Sequence, residues 1–179
     1  MVSTYKRKNK TISNTEIVKD IPISRGSQIK LPFELTGKQK NASDAFNKNH
    51  LVLDGAAGVG KTWLALYLAL QAVKNKLFEK IIIVRSPTQT IDVGYLPGGI
   101  DLSGDGGKLL PFIAPYQKIV NDMMGKNYWD SSFGKTILFE AGIAIRGITF
   151  DNAIVIVDEC QNYNFHALDS IITRLGSNT

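Results

Sequence analysis

Three short apolar runs punctuate the chain: Leu51-Val52-Leu53, Ile81-Ile82-Ile83-Val84 and Ile154-Val155-Ile156-Val157. The second and third are β-branched and free of polar residues, a pattern that suits strands buried on both faces of a parallel sheet. After the first run the period changes. Leu64, Ala65, Leu68, Ala69, Ala72 and Val73 recur at three-and-four spacing and predict an amphipathic helix. A shorter helix is expected from Thr36 to about Asn49, with Ala42, Ala45 and Phe46 on one face, and another over 112 to 124. Leu168, Ile171, Ile172 and Leu175 make a last helical stripe. Ser27 to Leu35 alternates apolar and polar residues between Gly26 and an interruption at Pro32, which predicts a short edge strand. Residues 94 to 116 are rich in glycine and proline and predict a long irregular excursion, of a length often tied to function. The expected fold is α/β with a mainly parallel sheet. Residues 1–25 are expected to form a polar, basic tail and residues 26–179 one domain.

Composition narrows the class. A chain of 179 residues with 44% hydrophobic content can bury the core of one domain. Cys160 is the single cysteine and cannot form an internal disulfide, and no stretch reaches the roughly 18 consecutive apolar residues of a membrane span. With no charged-then-apolar leader, a soluble cytoplasmic protein without a membrane partner is expected. The net charge of +5 is a modest excess, and Lys6, Arg7, Lys8 and Lys10 supply much of it. That cluster suits either an anionic partner or a solvated terminus.

Chemistry enters at Gly55-Ala56-Ala57-Gly58-Val59-Gly60-Lys61-Thr62. Two glycines with four residues between them, then lysine and a hydroxyl residue, arise by chance on the order of once per hundred or more chains this size. A strand precedes this segment, expected to be buried, and a helix follows, which is the setting a phosphate-binding loop requires. Glycines let backbone N–H groups curl around phosphate oxygens, and the helix N-terminus adds a favourable dipole. Lys61 is expected to reach the β- and γ-phosphates of ATP, and Thr62 to ligate Mg²⁺. A triphosphate site also needs a carboxylate at the C-terminal end of a neighbouring parallel strand. Ile154 to Val157 leads into Asp158-Glu159. Asp158 is expected to hold Mg²⁺, through its water shell, and Glu159 to polarise the attacking water, which favours hydrolysis over kinase chemistry. His50 and His166 are too isolated for a zinc site, so no other metal is expected. Trp63 is assigned to helix packing.

Asp158-Glu159-Cys160-Gln161-Asn162 after the last strand, Arg146-Gly147-Ile148-Thr149-Phe150 before it, Leu96-Pro97-Gly98 in the long loop and Thr173-Arg174-Leu175-Gly176 near the end resemble the PhoH-like ATPases. The match spans about residues 34 to 176. The resemblance implies a three-layer P-loop core like that of superfamily 1 helicases, and links to phosphate starvation, phage genomes and RNA metabolism. It implies that Gln39 recognises adenine and that Gln161 couples the phosphates to motion, although Gln161 also suits a loop-capping amide. Arg85-Ser86-Pro87-Thr88 is similar to a segment that touches the nucleic-acid backbone, or lines the sheet edge. Two departures stand out. Ile148 replaces an arginine of the usual Arg-Gly-Arg-Thr-Phe, leaving Arg146 alone there, and Cys160 stands where alanine is common, as a small buried residue. The family continues beyond its counterpart of Thr173 to Gly176 with another strand and a polar γ-phosphate sensor, so the resemblance implies a core without its last strand or strands.

The leading function is thus a nucleic-acid-dependent ATPase, helicase-like, acting on single-stranded RNA or DNA with RNA favoured. By resemblance it works as a homo-oligomeric ring, a hexamer, in which an arginine of one subunit serves its neighbour's site. Arg146 and Arg174 are the candidates, each equally suited to an ordinary surface cation. An ATP-dependent switch or assembly module without nucleic-acid processing is the alternative. A small-molecule kinase needs a basic lid, and the long loop offers only Lys108 between Gly94 and Pro115.

Overall fold

The computed structural model describes residues 2–6, 29–31, 34–46, 49–85, 110–141, 147 and 149–179. In chain order the elements are β1 (Val2–Lys6), α1 (Gly37–Phe46), β2 (Asn49–Leu53), α2 (Lys61–Lys74), β3 (Lys80–Arg85), α3 (Leu110–Met124), α4 (Tyr128–Ser132), β4 (Ile137–Ala141), β5 (Ala153–Asp158), a 3-10 turn (Cys160–Asn162) and α5 (Phe165–Ile172). Strands β4, β3 and β5 form a parallel sheet in that order.

Side chains alternate across a strand, so each apolar run feeds two cores. Ile81, Ile83, Ile137, Phe139, Ile154 and Ile156 meet α2 and α3 on one face. Ile82 and Val84 meet Phe150, Tyr163, Leu175 and Ile171 of α5 on the other. Helices on both faces explain why Ile81 to Val84 and Ile154 to Val157 carry no polar residue, and burying each isoleucine contributes roughly 1.5–3 kcal/mol. The architecture is the expected three-layer α/β arrangement. Because the strands are parallel, their C-terminal ends emerge together, with Arg85 in register with both Ala141 and Asp158. By the period of two, Arg85 and Asp158 share the face covered by α2 and α3.

Other expectations need correction. β2 is not buried: it alternates between half-buried and exposed, Val52 is 55% exposed, and its partner is β1, in antiparallel register from Val2↔Leu53 to Lys6↔Asn49. Residues 2–6 of the expected tail therefore supply a strand, because β2 packs only Leu51 and Leu53 on the core and offers β1 its backbone. Within Ser27 to Leu35 the described residues form no strand; the Lys30 N–H donates to the Met123 carbonyl at 2.8 Å, and Ile29 and Leu35 pack on the core. The expected irregular excursion ends earlier than 116, since α3 begins at Leu110 with Pro111 in its first turn, where a missing N–H costs nothing. Residues 86–109 lie outside the described residues. Strand β4 had no sequence counterpart because the half-buried Glu140 interrupts its apolar run.

Candidate nucleotide site

The loop between β2 and α2 owes its shape to backbone that only glycine adopts without strain. Gly58 and Gly60 have φ of +77° and +84°, in the left-handed region. Gly60 is the N-cap of α2 and brings no side chain to cap it, so no N-cap side chain competes for the first-turn N–H groups, the place at which a helix can receive an anion. Lys61 folds back over the loop, its Nζ donating to the carbonyls of Gly55 at 2.8 Å and Ala56 at 2.9 Å. Ala56, Ala57 and Val59 are exposed on the loop, and Gly55 packs so closely that a Cβ there would lie 3.3 Å from Val59 Cγ2.

Gln39 has two attachments. The Thr36 N–H donates to Gln39 Oε1 at 2.9 Å and the Gln39 N–H to Thr36 Oγ1 at 3.4 Å, a capping box that starts α1. The same rotamer brings Gln39 Nε2 within 3.7 Å of where a Cβ on Gly60 would stand. Gln39 thus caps a helix and borders the loop, and the Thr-x-x-Gln spacing is the sequence signal of such a cap.

The carboxylate at the end of β5 meets the loop directly. Thr62 Oγ1 donates to Asp158 Oδ1 at 3.0 Å. Tyr116, 1% exposed on α3, donates its hydroxyl to Asp158 Oδ2 at 2.7 Å. Burial foremost, then the hydrogen bond to Asp158 and that carboxylate's charge, push the Tyr116 hydroxyl far above its ordinary range, so the proton stays on the phenol. Arg85 Nη1 reaches Tyr116 Oη at 3.4 Å, and its guanidinium lies over the rings of Phe112 at 5.9 Å and Tyr116 at 5.8 Å. Arg85 therefore lines the site. Among the described residues the buried Tyr163 hydroxyl finds no hydrogen-bond partner, and burial, opposed by Arg85 and assisted by Asp158, pushes it up to about 12. Sequence reasoning found neither tyrosine, because no spacing signals a contact between helix α3 and strand β5.

The remaining candidates are less gathered. Glu159 follows Asp158 with φ of +51°, a left-handed turn away from β5, and its Oε2 accepts from Gln161 Nε2. Arg174 lies past α5, where its carbonyl accepts the Phe150 N–H at 2.8 Å; no contact among the described residues joins its side chain to the loop. Arg146 lies outside the described residues. Cys160 is exposed, contrary to expectation, because the turn after Glu159 lifts it off the sheet. Trp63 stacks on Tyr67 at 5.6 Å, as helix packing requires.

This donor set suits Mg²⁺ better than a metal caged by protein. Among the described residues no three His, Cys, Asp or Glu side chains cluster as ligands, and Mg²⁺ characteristically takes one or two carboxylates, waters and substrate phosphates. In donating to Asp158, the Thr62 hydroxyl keeps its lone pairs for a cation.

A family model described as PhoH-like protein matches residues 33–179. A PhoH-like protein of Bacillus subtilis (strain 168) is 34% identical over 141 residues, covering 77% of this chain and 43% of that protein. One of Mycobacterium leprae (strain TN) is 31% identical over 160 residues, 88% of this chain and 44% of its own length. Protein PhoH of Escherichia coli (strain K12) is 32% identical over 137 residues, 74% of this chain and 37% of its own. The chain spans less than half the length of these relatives. Among the described residues no helix is long and apolar enough to cross a membrane.

Proposed function

Since the chain belongs to the PhoH-like family, we propose that it binds ATP with Mg²⁺ between residues 55–62 and Asp158 and hydrolyses it, acting on or with single-stranded nucleic acid. The observation that carries this reading is the 3.0 Å bond from Thr62 to Asp158, which joins the phosphate loop to the acidic strand end. Lys61 exchanges the Gly55 and Ala56 carbonyls for β- and γ-phosphate oxygens, and the first-turn N–H groups of α2 receive the rest of the charge. Thr62 and Asp158 hold Mg²⁺, which when bound neutralises charge on the phosphate oxygens. Glu159 orients and deprotonates the attacking water once its carboxylate is released by Gln161, giving that glutamine its coupling role. Gln39 contacts the adenine. Arg146 and Arg174 are assigned to charge stabilisation across subunits of a ring, and the setting is the cytoplasm.

The test is ATP turnover with and without single-stranded RNA or DNA. Glu159→Gln is expected to lower turnover by roughly 10²–10⁴-fold while nucleotide stays bound. Lys61→Ala is expected to weaken ATP binding by about 10- to 100-fold, the loss of a charge-assisted bond; undiminished binding removes the central claim. The hold of Gln161 on Glu159 also suits a switch module that binds ATP without processing nucleic acid. Turnover indifferent to either polymer selects that second reading.

A further inference from the structure

Asp158 is gripped at both carboxylate oxygens by residues of two different elements, Thr62 at the start of α2 and Tyr116 in the middle of α3. The first grip belongs to the nucleotide reading; the second has no part in it. A carboxylate with one partner can turn about its Cβ–Cγ bond, and a second partner on the opposite oxygen fixes its plane. The Tyr116 hydroxyl is well built for this. It is fully buried, it packs against Phe139 with ring centroids 6.0 Å apart, and it accepts from Arg85, the neighbour of Asp158 across the sheet. An accepted bond from a guanidinium makes the phenol a stronger donor.

We infer that Tyr116 is a positioning residue that holds Asp158 in the orientation in which the carboxylate and the Thr62 hydroxyl face a divalent cation. The inference rests on the reading of this site as a Mg²⁺–nucleotide site. Tyr116 touches neither nucleotide nor metal; it acts through Asp158. Because it rides on α3, it also ties the metal carboxylate to the helix that receives the chain from residues 86–109.

The experiment is a titration of a fluorescent ATP analogue onto the full chain, in EDTA and over a range of Mg²⁺ concentrations. Tyr116→Phe keeps the ring that packs on Phe139 and lies beneath Arg85, and thermal unfolding of both proteins confirms that it folds. In this variant the Mg²⁺ concentration that half-maximally tightens nucleotide binding rises about tenfold, the usual cost of losing a partner behind a metal ligand, while affinity in EDTA stays within about twofold of the parent. In an Asp158→Asn background the same substitution has no further effect on the Mg²⁺ response. An unchanged Mg²⁺ response in Tyr116→Phe overturns the inference, as does an equal loss of affinity with and without Mg²⁺, which marks a purely structural tyrosine. If the parent chain binds the analogue but shows no Mg²⁺ dependence, the metal reading falls and the inference with it. If it binds no nucleotide at all, the proposed function itself fails.

Discussion

The glycine-rich loop from Gly55 to Thr62 and the carboxylate facing it meet at one hydrogen bond but are held by different means. The loop is shaped locally: two left-handed glycines, a lysine bonded to carbonyls five and six residues back, and a helix that starts at its end. Asp158 is held from afar, by Thr62 at a separation of 96 residues and Tyr116 at 42. The strands that lead to them differ in the same sense. β2 is half-exposed and, among the described residues, pairs with β1 alone, whereas β5 is bonded to β3 and covered on both faces. A loop encoded by backbone torsions tolerates an exposed strand beneath it. A carboxylate placed to within a hydrogen bond needs a sheet.

That contrast breaks most visibly at Asp158. Asp158→Ala leaves the buried Tyr116 hydroxyl and the Thr62 hydroxyl without acceptors and is expected to cost about 2–3 kcal/mol in urea unfolding, with Asp158→Asn costing roughly half, since one acceptor oxygen survives. A loss within the ±0.5 kcal/mol of a surface substitution means that Asp158 is not held as described. Gly58→Ala is next. A Cβ there meets nothing within 4 Å, so the expected cost of about 1–2 kcal/mol comes from the +77° φ alone, and the same measurement reads it.

Double-mutant cycles sharpen the difference. Thr62→Val and Tyr116→Phe share Asp158 and are expected to couple by about 1 kcal/mol, whereas Gly58→Ala and Tyr116→Phe add to within about 0.5 kcal/mol. Equal coupling in both cycles erases the distinction between a locally and a remotely built half.

The smallest effect is at Tyr163. Its buried hydroxyl has no partner among the described residues, so Tyr163→Phe is expected to be neutral or stabilising by up to about 1 kcal/mol at neutral pH. The sign with pH follows from its raised value. The neutral phenol is favoured in the fold, so this contribution is whole below the ordinary value of 10 and lost as pH rises toward about 12. Melting temperatures across that window are expected to fall less steeply for Tyr163→Phe; parallel slopes remove Tyr163 from the alkaline response.

Legibility in the sequence tracks the distance over which each feature is encoded. The loop from Gly55 to Thr62, helices α1 and α2, and strands β3 and β5 were readable because period and torsional preference act between near neighbours. Strand β4 was not, because Glu140 breaks its apolar pattern after three residues. Gly176 was readable only as part of a motif; its reason is that a Cβ there would lie 2.1 Å from Asp151 Oδ1, the acceptor of the Ser177 N–H at 2.7 Å.

By itself the sequence determined a glycine-rich loop between a strand and a helix, an acidic pair closing a β-branched strand, and an α/β core with a parallel sheet, since glycine torsions and burial patterns are properties of short segments. Only the tertiary structure decided what surrounds the carboxylate. Arg85 is placed beside Asp158 by strand register, Tyr116 above it by the packing of α3, and β1 against β2 by unpaired backbone. Such contacts join residues far apart in the chain, and no local pattern encodes their meeting.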